Sequence, residues 1–180
     1  MRIRRLVTGL DTEGRAVVVS DGSPPRNDDL VHVPGFSSAM LWATAPGDPL
    51  PLDGMDPTPR VARQLPLPGG TCFLVVTFPP DSVYEDPDFD AAAADAEQRA
   101  VSPGIADLFE PDNPGMHTTD SVDYIVILSG EVWLELDDGQ LSYLRAGDTV
   151  VQNGTRHAWR NRSAEPVTLA VVHVGAVRKP

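Results

Sequence analysis

Proline and glycine recur so often along this sequence that long helices are excluded from most of it. The chain of 180 residues contains 18 prolines and 15 glycines, and stretches with the amphipathic period of a helix are almost absent. Between these breaks lie short runs rich in valine, isoleucine, leucine and threonine, which are typical of strands joined by turns. The sequence therefore predicts an all-β fold, either a sandwich or a barrel.

The strand pattern is clearest in the second half of the chain. The run Thr71–Phe78 is β-branched and aromatic and ends at two prolines. Similar runs follow one another between residues 122 and 174, with a turn at residues 137–139. Nearer the N-terminus, runs of the same character cover residues 6–8, 16–20, 30–33 and 39–43. The first two of these flank a turn and predict a hairpin.

Two segments interrupt the strand pattern. Residues 46–68 contain seven prolines, which can join neither a sheet nor a helix, so we predict an extended surface loop. Residues 81–113 carry ten acidic residues and one basic residue, Arg99. Within them Asp90 can cap an alanine-rich helix over residues 91–100 that has no sustained apolar face. We therefore predict a short, solvated surface helix. Because the acidic segment leads directly into His117, we expect it to form a lid or rim at the mouth of a barrel, or else a surface insertion without a role.

Length, charge and cysteine content restrict the cellular role. A chain of 180 residues is expected to form one domain, and no apolar run approaches the roughly 20 residues that cross a bilayer. The net charge is -12 without a basic cluster beyond the first five residues, so nucleic acid and anionic membranes are poor partners. The single cysteine, Cys72, is expected to be a buried, inert thiol. Because no signal-peptide pattern is present, we expect a cytoplasmic protein whose partner is a small molecule.

Side chains that can bind a metal recur at strand spacing in two segments of the second half. Residues two apart on a strand share a face. The alternating positions are His117, Thr119, Ser121 and Asp123 in the first segment, and His157, Trp159 and Asn161 in the second. Neighbouring strands could therefore bring two imidazoles and a carboxylate together, an arrangement that suits a divalent metal ion.

These two segments resemble the paired motifs of the cupin superfamily of small β-barrels. The first cupin motif runs His-x-His, three or four residues, Glu, six residues, Gly. This chain has His117-x-Thr119, three residues, Asp123, six residues and Gly130.

The second cupin motif runs Gly, five residues, Pro-x-Gly, two residues, His, three residues, Asn. Here the chain has Gly147, four residues, Gln152-x-Gly154, two residues, His157, three residues and Asn161. The second motif therefore matches except for one missing residue and glutamine in place of proline.

The resemblance covers residues 115–176 and, as a preceding strand, residues 71–80. It implies a cupin-type double-stranded β-helix, or jelly-roll barrel, with an N-terminal strand extension and a short helix in the acidic insertion. Residues 1–70 then supply N-terminal strands and the proline-rich loop of the same domain, and residues 71–180 supply the barrel, with the insertion at residues 81–113. The resemblance also implies a homodimer, in which edge strands left unpaired meet those of a second protomer.

Cupins that bind metal usually present three histidines and one glutamate, and this chain departs from that set at two positions. Thr119 stands at the second histidine position and Asp123 at the glutamate position. The resemblance therefore implies a site formed by His117, Asp123 and His157. By ligand type this set suits one divalent ion, Fe, Zn, Mn or Ni, with positions left open. The alternative is a barrel that has lost its metal.

Four further side chains are candidates for the same site. Thr119 is a candidate catalytic residue that hydrogen-bonds the substrate or a metal-bound water, or else it is an ordinary strand residue. Trp159 either forms an apolar wall of the substrate pocket or packs in the core. His173, in the last apolar run, is either a hydrogen-bonded core residue or a pocket residue. Gln152 is assigned to the same pocket.

Two functions remain open. The first is a metal-dependent enzyme that acts on a small oxygenated metabolite by lyase, decarboxylase, isomerase or dioxygenase chemistry, with Arg156 or Arg160 offering positive charge to an anionic substrate. The second is a non-catalytic cupin module that binds a small ligand. Open positions in the ligand set favour the enzyme, whereas the replacements at positions 119 and 123 favour the module. Because a sensor would need a separate DNA-binding or transport partner, we expect the enzyme.

Overall fold

The structure is a computed structural model that describes residues 3–52 and 55–179. Residues 1–2 of the N-terminal segment, residues 53–54 of the proline-rich segment and residue 180 lie outside the described residues. The elements within it are β1 Arg5–Leu10, β2 Ala16–Gly22, β3 Arg26–Asp29, β4 Ser37–Thr44, β5 Thr71–Phe78, α1 Ala91–Val101, β6 Ser121–Ser129, β7 Glu131–Glu135, β8 Leu141–Arg145, β9 Thr149–Gln152, β10 Ala158–Arg160 and β11 Val167–Gly175. The predicted all-β fold is confirmed.

Two antiparallel sheets enclose the core. The larger has six strands in the order β3-β4-β5-β11-β6-β9, and the smaller has three in the order β10-β7-β8. One apolar cluster joins them, with Met40, Leu74, Ile127 and Leu169 from the larger sheet and Val132 from the smaller. Burial of an aliphatic side chain of this size stabilises the fold by about 1.5–3 kcal/mol. This arrangement is the predicted cupin-type double-stranded β-helix.

Strand β11 lies in the centre of the larger sheet and determines the register of the site. It pairs with β5 on one side and β6 on the other. Its sequence is apolar at nearly every position, as is usual for a strand that is covered on both faces, and Val167 and Leu169 are completely buried. Its polar residues are Thr168 and His173, and His173 lies opposite Cys72 on β5 and Asp123 on β6.

The N-terminal strands divide between two sheets. Strands β1 and β2 form the expected hairpin as a separate two-stranded sheet, while β3 and β4 extend the larger barrel sheet. The barrel sheet therefore begins at Arg26, well before residue 71. The strand expected over residues 30–33 is wrong, because a turn at Gly35, with φ of 88°, reverses the chain there. Leu30 and Val33 are instead buried as loop residues.

Helix α1 is anchored to the barrel rather than only solvated. Asp90 caps it as predicted and accepts hydrogen bonds from the backbone N–H groups of Ala92 and Ala93 at 3.1 and 3.0 Å. However, Ala94 is buried against the loop that follows β3, and Glu97 accepts two backbone N–H groups from that loop. The helix is therefore the short surface helix that was expected, with Ala94 as its one buried side chain among the described residues. In the described ranges no helix has the length and apolar character needed to span a membrane.

The proline-rich segment is only partly a surface loop. Most of residues 46–68 lack regular structure, as expected. Thr58 and Gln64 are nevertheless buried, and the Gln64 side chain donates a hydrogen bond to the Val101 carbonyl at the end of α1 at 3.1 Å. The segment is therefore fixed against the helix and the barrel, because its few polar side chains find backbone partners.

Candidate functional site

Three polar side chains form a row across neighbouring strands of the larger sheet. Gln152 on β9 lies opposite Asp123 on β6, and Asp123 lies opposite His173 on β11. All three are buried, whereas Tyr124, the next residue on β6, is 53% exposed. Alternation along the strand therefore points Asp123 into the barrel and Tyr124 out of it.

His117 and His157 face each other across an isolated antiparallel bridge. Each backbone N–H donates to the carbonyl of the other residue, at 3.0 and 2.9 Å. The two imidazole rings consequently lie side by side, with centroids 4.3 Å apart. The Phe109 ring packs edge-on against the His117 ring, with centroids 5.3 Å apart. The Trp159 ring packs edge-on against the His157 ring, with centroids 6.1 Å apart. The histidine pair is thus enclosed by aromatic side chains.

The backbone fixes which nitrogen of each imidazole is free. Nδ1 of His117 lies 2.9 Å from the carbonyl oxygen of Gly115, and Nδ1 of His157 lies 3.0 Å from that of Thr155. A carbonyl only accepts, so both Nδ1 atoms carry hydrogen. Burial lowers the pKa of His117, and burial together with the His117 charge lowers the pKa of His157 to about 4. Both rings are therefore neutral at pH 7, and each Nε2 has its lone pair available.

Asp123 is held as a carboxylate inside the barrel. Its Oδ1 accepts hydrogen bonds from Ser121 Oγ at 2.6 Å and from His173 Nδ1 at 2.7 Å. Burial by itself would raise the pKa of Asp123, but these hydrogen bonds and the charges of the nearby imidazoles lower it below its ordinary value. The carboxylate is therefore ionised, and Oδ2 has no hydrogen bond within the part of the chain that the structure describes.

Thr119 is completely buried, and its Oγ1 has no hydrogen-bond partner among the described residues. A buried hydroxyl left without a partner costs about 1–3 kcal/mol of stability. Thr119 bears this cost at a position between the candidate ligands His117 and Asp123. It alternates with His117, Ser121 and Asp123, all of which are buried. This hydroxyl is therefore available to a group that enters the barrel.

The structure brings most of the predicted site residues into one buried cluster. His117 lies beside His157, with ring centroids 4.3 Å apart, and His173 lies beside Asp123, with Nδ1 and Oδ1 2.7 Å apart; all four side chains are buried. Gln152 lies opposite Asp123 in the sheet, and the ring centroid of Trp159 lies 6.1 Å from that of His157, so both residues border these side chains. No three His, Cys, Asp or Glu side chains within residues 3–52 and 55–179 already stand at coordination spacing, so an ion would have to draw the ligands inwards.

Hydrogen bonds from two arginines fix the end of the acidic segment, residues 81–113, beside this cluster. Arg156 donates to both carboxylate oxygens of Glu110 at 2.6 Å. Arg160 donates to the Pro114 carbonyl at 2.7 Å and to Asn113 at 2.9 Å. These two arginines also pair with acidic side chains of the barrel. Their charges are therefore already compensated, and the expectation that Arg156 or Arg160 offers free positive charge to a substrate is wrong.

Two contributors to the site were missed by sequence reasoning. Phe109 lies in the acidic segment, where no periodic pattern marks it, yet its ring contacts His117. Ser121 was noted only for its alternating position, but its hydroxyl binds Asp123. The sequence feature that could have indicated this contact is the polar run from His117 to Asp123, in which every second residue is buried.

Acid should destabilise the metal-free protein over a defined pH range. The pKa of His157 is about 4 when folded and 6.5 as its ordinary value, so the unfolded chain takes up a proton first as the pH falls. We expect the contribution of His157 to the free energy of unfolding to be constant above about pH 6.5 and to be lost as the pH falls towards 4. Urea unfolding near pH 7 and near pH 5 measures this loss. In a His157→Asn variant the decrease should be smaller, and an equal decrease would contradict the assignment.

The chain is similar to several curated proteins. No family profile matches the chain. The chain is similar to phomopsin biosynthesis cluster protein C' of Diaporthe leptostromiformis, with 56% identity over 48 residues, 27% of this chain and 25% of that protein. It is also similar to the cupin-domain-containing oxidoreductase srdB of Neurospora crassa, with 27% identity over 164 residues, 89% of this chain and 67% of that protein. The match to the phomopsin cluster protein thus spans about a quarter of that relative's length.

Solved structures with low sequence identity are also similar. One is an RmlC-like cupin family protein with a double-stranded β-helix fold from Methanocaldococcus jannaschii, with a TM-score of 0.39, 16% identity, and coverage of 64% of this chain and 79% of that chain. Another is ectoine synthase from P. lautus, with a TM-score of 0.43, 13% identity, and coverage of 84% of this chain and 70% of that chain.

The fold and the buried motif residues can be set beside the names of the curated relatives. Two facing antiparallel sheets carry both motif segments, and the motif residues His117, Asp123 and His157 are buried together between them. The curated relatives include proteins named as cupin-domain-containing oxidoreductases. The fold that the resemblance implied, a double-stranded β-helix, is therefore the fold that the structure has, and the chain is similar to proteins named as cupin-domain-containing oxidoreductases.

Proposed function

We propose that this protein is a metal-dependent cupin enzyme in which His117, His157 and Asp123 hold one divalent ion inside the barrel. The observation that supports it is the meeting of two neutral imidazoles, each with a free Nε2, and an ionised carboxylate with a free oxygen. Two nitrogen donors and one carboxylate suit Fe(II) or Zn(II), and Mn(II) or Ni(II) less well, with positions left for water and substrate.

The chain's own side chains supply the rest of the chemistry. A bound ion provides Lewis-acid chemistry and, when it is iron, electron-transfer chemistry. Thr119 Oγ1, which lacks a partner among the described residues, is the group that can hydrogen-bond an oxygen of the substrate. Trp159 and Phe109 offer apolar walls that orient a small substrate and exclude water. The substrate class that fits is a small, largely apolar molecule with an oxygen donor.

Among the reactions that the sequence left open, the curated relatives favour oxidation. Two of them are named cupin-domain-containing oxidoreductases, from Neurospora crassa and Hypocrea virens. The phomopsin and oryzines relatives carry the names of biosynthesis clusters. We therefore place dioxygen-dependent oxidation of a small biosynthetic intermediate ahead of lyase, decarboxylase or isomerase chemistry for this chain.

A homodimer is part of the same proposal. The β1–β2 hairpin belongs to neither barrel sheet, and Leu6, Leu10 and Val18 on it are at least half exposed. Apolar side chains on a free hairpin are often covered by a second copy of the chain. Sedimentation giving twice the chain mass of 19.3 kDa would support this assembly. A cytoplasmic location likewise remains a prediction.

The proposed function is tested on the wild-type protein. After removal of metal, titration with Fe(II), Zn(II), Mn(II) and Ni(II) should give saturation at about one ion per chain. The loaded protein is then screened against small keto acids, enols and phenols while oxygen uptake is recorded. Oxygen consumption that depends on substrate is the expected result. Turnover without oxygen would select lyase or isomerase chemistry, and tight ligand binding without turnover under every metal would leave only the binding module.

A further inference from the structure

Strand β11 brings a third imidazole, that of His173, into the buried cluster. In the sheet register His173 has Cys72 on one side and Asp123 on the other. Burial raises the pKa of the Cys72 thiol to about 12, so this neighbour is uncharged at pH 7. Asp123 is therefore the charged neighbour of His173 in this row, and the two side chains are joined at 2.7 Å through Nδ1 and Oδ1.

The two oxygens of Asp123 have different surroundings. Oδ1 is held by two donors, Ser121 Oγ and His173 Nδ1. Oδ2 has no hydrogen bond within the described residues, although Asp123 is 2% exposed. A carboxylate anchored through one oxygen by two donors presents its other oxygen in a fixed direction, and such outer contacts orient the ligands of metal sites.

We infer that His173 is a positioning residue, whose Nδ1–H fixes Oδ1 of Asp123 so that Oδ2 is presented to the divalent ion. The inference rests on the proposed function, since it concerns the same site. Two features of this chain make such positioning important. Threonine replaces one histidine of the usual cupin set, and aspartate is shorter than glutamate. With only three ligands available, the direction of the single carboxylate affects the affinity more strongly.

Removal of the donor should weaken metal binding. In a His173→Leu variant, we expect the dissociation constant for Zn(II) to rise by about 10- to 100-fold, the usual effect of losing a group that orients a ligand. A His173→Asn variant places an amide N–H close to the position of Nδ1 and should restore an affinity near that of the wild type. A His173→Gln variant carries the same amide one bond further out and should not.

The Asn and Gln variants keep the test decisive if leucine prevents folding. Both introduce an amide of similar polarity, and urea unfolding of the metal-free proteins shows whether their stabilities match. If all variants bind Zn(II) as the wild type does, the inference is wrong. Equal weakening by Asn and Gln at matched stability would also contradict it, because a specific donor position would then be irrelevant.

A spectroscopic measurement separates positioning from direct ligation. Cu(II) bound to the wild type should show electron paramagnetic resonance couplings to the two imidazole nitrogens of His117 and His157, and the His173→Asn variant should show the same number. Loss of one nitrogen coupling in that variant would identify His173 as a ligand and overturn the inference. A wild type that binds neither Zn(II) nor Cu(II) would contradict the proposed function itself.

Discussion

Replacing His117 or His157 with alanine is expected to abolish stoichiometric metal binding and, with it, turnover. Each substitution removes one of two nitrogen donors and leaves a single imidazole and one carboxylate, too few ligands for firm retention of a divalent ion. The loss of affinity should be at least about 100-fold, since even the removal of groups that only orient ligands costs 10–100-fold. Metal analysis by mass spectrometry and calorimetric titration with Zn(II) measure the effect.

The matched control is His32→Ala. His32 is an exposed histidine outside the cluster, and its backbone N–H donates to Glu97. This variant should retain about one ion per chain and the full activity of the wild type. If the wild type, His117→Ala and His157→Ala all contain the same sub-stoichiometric amount of metal, then the metal site does not exist and the ligand-binding module is the better description.

Replacing Gly130 with alanine is expected to produce a large loss of stability for a single added methyl group. Gly130 lies in the turn between β6 and β7 with φ of 75°, a conformation that costs an alanine about 1–2 kcal/mol. Its added Cβ would also lie 2.7 Å from the Pro166 carbonyl oxygen and 2.9 Å from Val167 Cα. Because these are backbone atoms at the start of β11, relief of the contact should cost about 1–3 kcal/mol more.

Gly139 provides the comparison that isolates the steric contribution. It has nearly the same backbone conformation, with φ of 70°, but an added Cβ would meet no atom within 4 Å. A Gly139→Ala variant should therefore lose only the contribution of the backbone, about 1–2 kcal/mol. Urea unfolding of both variants measures the difference. Equal losses would mean that the strand β11 backbone moves away without cost, contrary to its position in the centre of the sheet.

The sequence predicted the strands of the site well because the period of a strand depends only on neighbouring residues. The alternation from His117 to Asp123 is inward in the structure, and Tyr124 points outward, as the period of two requires. Gly130 of the first motif lies in the turn between β6 and β7, and Gln152 of the second motif ends strand β9. These features could be predicted because they need no knowledge of distant parts of the chain.

The parts that could not be predicted depend on residues that are far apart in the chain. The contact of His173 with Asp123 joins positions 50 apart, and that of Arg156 with Glu110 joins positions 46 apart. Register between strands so distant is set by the whole sheet, for which a single sequence has no local signal. For the same reason the burial of Gln64 in the proline-rich segment was not anticipated.

The central position of β11 has a consequence for the order in which the protein is assembled during synthesis. Strands β5 and β6 leave the ribosome long before β11, yet each forms a pair with it. Until β11 emerges, both present open edges of apolar strands, which are prone to associate with other chains. The many contacts between distant residues also favour slow folding. The nascent chain should therefore depend on chaperones. The buried cluster that includes His173 can form only after translation has passed residue 173.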